Sequence, residues 1–180
     1  YHEVLEEAKD YDVLPRDVEL LDQPRREENV DSLPHDSINL FDDSQLTYFN
    51  ENDTVKKVVE LAKNRRLFSA VNKPKTLWLS LSDYVHKDRL VIPFYGLDNN
   101  INFYQSRTVF PSEKLPKYLS KVGGEKSLFN VNRVDPDLDT IFIFEGPIDA
   151  CFVRNGVAVA GIQESYSSYT QKQKEQLGSF

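Results

Sequence analysis

The sequence predicts an α/β protein: an α+β amino-terminal part built on a hairpin-containing mixed sheet, then a parallel strand–helix–strand–helix half. Three observations lead there. Two nearly continuous apolar runs, IFIF at 141–144 and VAVAGI at 157–162, have the composition of strands covered on both faces. Between them PIDACFVRN carries proline at the permissive first helical position and Gly156 just past its end, which is the grammar of a crossing helix. Upstream, RLVIPFY and INFYQSRTVF flank GLDNN, a turn-forming run, so residues 89–110 read as a hairpin.

The remaining elements follow in chain order. Residues 1–45 mix charge with prolines 15, 24 and 34 and contain only short apolar stretches, so they are expected to form an acidic tether with one short helix near its start. A helix begins at Asn52 or Asp53, either of which is a suitable cap. It sets Val55, Val58, Val59 and Ala62 on one stripe and ends in arginines that suit the helix dipole. TLWLSLS is strand-like. Residues 111–137 hold prolines 111, 116 and 136 and Gly123-Gly124, and are expected to be an ordered loop with a short helix. SYTQKQKEQL supplies the last helix. The chain thus divides into a linker (1–45), a basic subdomain (46–137) and a parallel half (138–180).

A chain of 180 residues with 39 % apolar content can bury a sizeable core. It has no run of about 18 apolar residues, and no basic-apolar leader opens it, so the expectation is a cytoplasmic protein with no membrane partner. A single cysteine excludes an internal disulfide and a multi-cysteine zinc site, and the three histidines are scattered, so any metal is expected on oxygen ligands. Methionine is absent and residue 1 is tyrosine, as expected of a piece of a longer protein. The net charge of -7 conceals a segregation: residues 1–53 carry -12, residues 54–134 carry +9 and residues 135–180 carry -4. A basic middle between acidic flanks fits a polyanion contact or a lysine-rich solvated surface.

Glu145 ends the first apolar strand, and Asp149 follows one helical turn later. In parallel sheets ligands gather at the carboxyl ends of the strands. Two carboxylates there suit a shared divalent cation of the magnesium kind, which takes hard oxygens and keeps some of its waters. The same pair has a plainer reading, because a helix start favours acidic residues whatever their chemistry and Gly146-Pro147 is ordinary turn grammar. The residues alone leave both readings open.

EGPIDACFVRNGVAVAG resembles the first signature of the Toprim domain, the metal-binding module of bacterial-type primases, type IA and II topoisomerases and some nucleases. RLVIPFYGLDNNINFYQSR resembles the primase block in which an apolar strand opening on arginine is followed by a turn and a strand ending in arginine, and LPKYLS resembles the lysine-tyrosine segment after it. Order and spacing are most similar to the primase subunits of T-even-type phages, over roughly residues 45–180. The resemblance implies the RNA polymerase core of a DNA primase, making RNA primers from ribonucleoside triphosphates on single-stranded DNA beside a hexameric replicative helicase, in a host cytoplasm if phage-encoded. Mg2+ or Mn2+ is the implied cofactor. It implies that Glu145 and Asp149 are catalytic and metal-binding, that Gly146 makes the turn, and that Arg89, Arg107, Lys117 and Tyr118 hold template or triphosphate.

Two departures accompany it. The second acidic motif of a Toprim site is expected beyond Phe180, which makes residues 138–180 the first half of that domain. The zinc module of the family is expected before Tyr1, so zinc is implied only outside this chain. Lys56, Lys57, Arg65, Arg66, Lys73 and Lys75 are candidate template contacts or the solvated face of a helix, Tyr84 lies close by in sequence, and Trp78 is assigned to the core. A Toprim nuclease and a non-catalytic nucleic-acid-binding fragment are the alternatives.

Overall fold

In the computed structural model, residues 33–112, 114–161 and 165–180 are described. The larger sheet has five strands in the order β1-β2-β3-β4-β5. These are Ile38–Asn39, Trp78–Ser80, Arg89–Tyr95, Ile101–Thr108 and Tyr118–Ser120. Every pairing is antiparallel, where a mixed sheet was expected. The connections explain the difference: β2 to β5 follow one another through short loops, which suit antiparallel neighbours, whereas a parallel pair needs a long crossover. The β3–β4 hairpin is the expected one, closed at Gly96–Asn100 with Asn99 in the left-handed region and a bulge at Phe94/Tyr95.

Residues 33–45, expected to belong to the tether, are instead part of the fold. Asp36 is the reason for the firm attachment: its carboxylate accepts from the Ser80 hydroxyl (2.8 Å), the Leu81 amide (2.8 Å), and the Ser82 amide and hydroxyl, pinning residue 36 to the end of β2. The rest of the expected tether, with its short helix, lies outside the described residues.

Two helices follow β1. Helix α1, Asp43–Tyr48, is capped by Asp42; helix α2, Asp53–Asn64, is capped by Asn52, whose side chain accepts from Thr54 and Val55. The predicted stripe is the buried one: Val55, Val58 and Ala62 are buried and Val59 packs at the margin. Burial of a valine contributes about 1.5–3 kcal/mol, more than helix propensity supplies. Arg66 takes a left-handed conformation, φ 55°, and ends the helix.

The second sheet is a parallel pair, β6 (Phe142–Phe144) with β7 (Gly156–Ala158), joined through helix α3 (Pro147–Ala150). Helix α3 is shorter than expected. After Ala150 the amides of Cys151, Phe152 and Val153 bond three residues back, to Ile148, Asp149 and Ala150, so the chain tightens into turns that end at Asn155, φ 53°. Gly156 is needed where that segment meets β7, because a Cβ there would stand 2.6 Å from the Ala150 carbonyl and 2.8 Å from that of Val153. Strand β6 was expected to be buried, yet Phe142 and Ile143 are 49 % and 46 % exposed, and among the described residues β6 pairs with β7 alone. Helix α4, Gln171–Leu177, carries the capping box of Thr170 and Gln173.

One core runs through both sheets. Phe94 stacks edge-on against Phe103 and Phe129, each at 5.2 Å, and the same cluster includes Leu90 and Ile92 of β3, Ile148 and Ala150 of α3 and Ala158 of β7. Amide side chains make the seam directional. Buried Asn72 donates to the carbonyls of Ala150 (3.1 Å) and Gly156 (2.8 Å) and accepts from Arg133 Nε (3.2 Å), while its own backbone N–H donates to Cys151 O (2.9 Å). Helix α4 is held similarly: Gln173 donates to Val159 O and Gln176 accepts from the Leu128 amide.

Candidate nucleotide and metal site

The two sheets meet along a cleft of about 330 Å³ lined by Arg65, Gln105, Arg107, Lys117, Tyr118, Glu145, Gly146, Ile148, Asp149 and Gly161. Each wall has a simple origin. Glu145 leaves the carboxyl end of β6, and Asp149 follows on α3; both are exposed, so both carboxylates face solvent rather than the core. Opposite them, Arg107 on β4 and Tyr118 on β5 are register partners, and the guanidinium donates to the Tyr118 hydroxyl at 2.7 Å while lying 5.4 Å from its ring centroid. Arg65, the cap that closes α2, supplies a third cation.

Among the described residues the only ion pairs are His35–Asp83 and Lys56–Glu51. The carboxylates and cations of the cleft therefore share a space without neutralising one another by direct contact. Such an arrangement suits a ligand that carries both anionic oxygens and a cation, since each wall then meets its complement.

The sequence expectations sort cleanly. Glu145, Asp149, Gly146, Arg65, Arg107, Lys117 and Tyr118 come together in this cleft. Arg89 does not. It pairs with Thr108, on the face of β3 opposite Leu90 and Arg107; there it is buried, donates from Nη2 to Pro116 O at 3.0 Å, and burial lowers its pKa from the ordinary guanidinium value. Strand alternation is the cause, as residues 89 and 90 must point to opposite faces. Arg89 thus supports the segment leading to Lys117 instead of lining the cleft. Arg66, left-handed and exposed, is also outside the lining.

Gly146 was expected to be required by a turn, yet its backbone is extended, φ −115°, which any residue adopts. A Cβ there would stand 3.7 Å from Asp149 Oδ2, an ordinary contact, so neither backbone nor space demands glycine at this position. Of the wider basic set Lys75 is exposed, while three lysines make contacts within the chain. Lys56 pairs with Glu51 at 3.2 Å, Lys57 lies 4.3 Å over the Phe110 ring and Lys73 donates to Phe68 O at 2.6 Å. Trp78 is half-buried on β2, its indole N–H donating to Thr76 Oγ1 at 2.6 Å.

Besides apolar Ile148, three neighbours of the cleft escaped the sequence reading. Gln105 and Gly161 line it, and the Lys126 ammonium lies 3.4 Å from where a Gly161 Cβ would stand, which adds a cation beside the acidic turn. None carries a spacing signal. Beneath the turn, Cys151 is a buried thiol pushed up to about 12 by burial and donating to Pro147 O, so it is no nucleophile near neutral pH.

The metal expectation meets a partial fit. Magnesium is commonly held by one or two carboxylates together with substrate phosphates, and Glu145 and Asp149 provide two on one cleft. No group of three or more acidic, histidine or cysteine side chains that could hold a metal occurs among the described residues. No helix among them is long and apolar enough to cross a membrane.

No family model matches the chain. A DNA primase domain from Pseudomonas aeruginosa aligns with a TM-score of 0.43 and 21 % identity, covering 56 % of this chain and 35 % of that one. The Aquifex aeolicus primase, solved with its zinc binding and RNA polymerase domains, gives a TM-score of 0.43 and 21 % identity over 77 % of this chain and 34 % of its own. The DNA primase of Enterobacteria phage T4 is 32 % identical over 82 residues, which is 44 % of this chain and 23 % of that protein. The resemblance to phage DNA primases carried by the sequence motifs is thus met by a curated relative, of whose length this chain spans less than a quarter.

Proposed function

We propose that this chain is part of a DNA primase and carries the cationic wall and the first acidic motif of its RNA polymerase core. One observation carries the reading: carboxylates 145 and 149 from one sheet and cations 65, 107 and 117 from the other elements line a single cleft without pairing. Phosphoryl transfer needs positioning and charge neutralisation more than covalent help from the protein. In this reading Arg107 and Lys117 hold the triphosphate oxygens of an incoming ribonucleotide. Tyr118 fixes the Arg107 fork through its hydroxyl. The primer's 3′-oxygen bonds to the α-phosphorus as the bond to pyrophosphate breaks, and Glu145 is poised to accept the hydroxyl proton. In the alternative role Glu145 joins Asp149 in holding Mg2+ or Mn2+, which when bound supplies charge neutralisation at the phosphates. Single-stranded DNA is the template, a hexameric helicase the expected companion, and the host cytoplasm the place of action.

The test is incubation of the longer protein to which this chain is expected to belong, since these 180 residues alone lack the second acidic motif, with single-stranded DNA, Mg2+ and labelled ribonucleoside triphosphates. Short oligoribonucleotides are the expected product, and Glu145→Gln abolishes them while leaving the thermal midpoint unchanged, because the side chain is exposed. Synthesis retained in that variant overturns the assignment. A second reading, a non-catalytic single-strand-binding fragment, draws on the lack of a third acidic ligand among the described residues. Salt-dependent DNA binding without any synthesis is its signature.

A further inference from the structure

We propose that Gln105 is the positioning residue that sets the separation between the cationic sheet and the acidic turn. Gln105 stands two residues before Arg107 on β4, on the same face, with its side chain 5 % exposed at the floor of the cleft. Its Nε2 donates to the Ala160 carbonyl at 3.1 Å. The next amide, Gly161 N–H, donates to the Glu145 carbonyl at 3.1 Å. One side-chain bond, one peptide unit and one backbone bond therefore connect the strand that carries Arg107 to the residue that carries the leading carboxylate. The peptide in the middle takes an unusual path, with Ala160 at φ 61° and Gly161 at φ 134°. A left-handed alanine is disfavoured by the contact of Cβ with backbone, and it persists where the surroundings hold it. The Gln105 amide is such a holder, since it ties down the carbonyl of that very residue.

Gln105 does not act on phosphate chemistry in this account; it acts through Glu145, and in that respect the inference rests on the primase reading. Its structural half does not. The measurement is amide hydrogen exchange of the 180-residue chain, wild type against Gln105→Leu, which keeps the bulk and removes the donor, and Gln105→Glu, which keeps the shape and replaces the amide donor with an acceptor. Loss of a buried hydrogen bond lowers the thermal midpoint and raises exchange at Gly161 about 5- to 30-fold, well beyond any rise at the β3 amides. Unchanged protection at Gly161 in both variants overturns the proposal, including when one of them folds poorly and the other does not. In primer synthesis both variants lower kcat with little change in the KM for ribonucleoside triphosphate; a KM effect alone also overturns it. If the longer protein carrying this chain makes no primers the primase reading fails by itself, and exchange at Gly161 still decides the role of Gln105.

Discussion

Asn72→Leu offers the sharpest check on how the two sheets are joined. The substitution keeps roughly the same volume in a site that is 4 % exposed, but it removes two donors and one acceptor. The carbonyls of Ala150 and Gly156 each lose a bond, at 3.1 and 2.8 Å, and Arg133 Nε loses its acceptor at 3.2 Å. A buried polar group left without its partner is destabilised by about 1–3 kcal/mol. Ala150 O keeps a long bond from Val153 N (3.5 Å) and Arg133 is exposed, so the sum belongs at the lower end, about 2–4 kcal/mol. For a chain of this size that lowers the thermal midpoint by roughly 6–12 °C. Circular dichroism melts at neutral pH read this directly, and urea unfolding checks that the slope m is unchanged. A drop of less than about 2 °C, on the same scale, would refute the claim that directional amide bonds, beyond apolar contact, hold the seam.

Other expectations follow from single contacts. Gly156→Ala forces a Cβ against two backbone carbonyls and lowers stability by about 1–3 kcal/mol in urea titration. For Asp36, burial raises the carboxyl pKa, but the hydrogen bonds from Ser82, Ser80 and Leu81 together outweigh it and leave the pKa below the ordinary 3.8. A depressed pKa contributes stability above the unfolded value, lost as pH falls through the folded one; the gap in melting temperature between wild type and Asp36→Ala should be constant above about pH 5 and close below about pH 4. Arg65→Glu should reduce the salt slope of single-stranded DNA binding by about 0.7 or more, whereas Arg66→Glu, outside the cleft, should change it less; equal effects would argue against the cleft as the contact surface.

Sequence reasoning reached what obeys periodicity and capping. The α2 stripe, the Asn52 cap, the hairpin around Asn99 and the parallel β6–β7 pair are all written in patterns that local sterics and burial enforce. It also reached the members of the cleft that end a strand or follow a signature, Glu145 and Arg107 among them. It missed Arg89 because arginine at a strand's first position carries no mark of the face it takes, and strand alternation sent it behind the sheet. It missed β5 because a three-residue strand between proline and glycine has too few residues for a period. The amide roles of Asn72, Gln105, Gln173 and Gln176 were invisible for another reason. A glutamine on a helix such as α4 reads as solvent-facing, and only long-range packing reveals a carbonyl waiting for it.

The uncovered side of β6 has a consequence for handling the isolated chain. Phe142 and Ile143 leave an apolar side chain exposed on each face of a strand whose outer edge has no strand partner among the described residues. Concentrated solutions should self-associate along it, and a lysine at position 143 should improve solubility without touching the cleft.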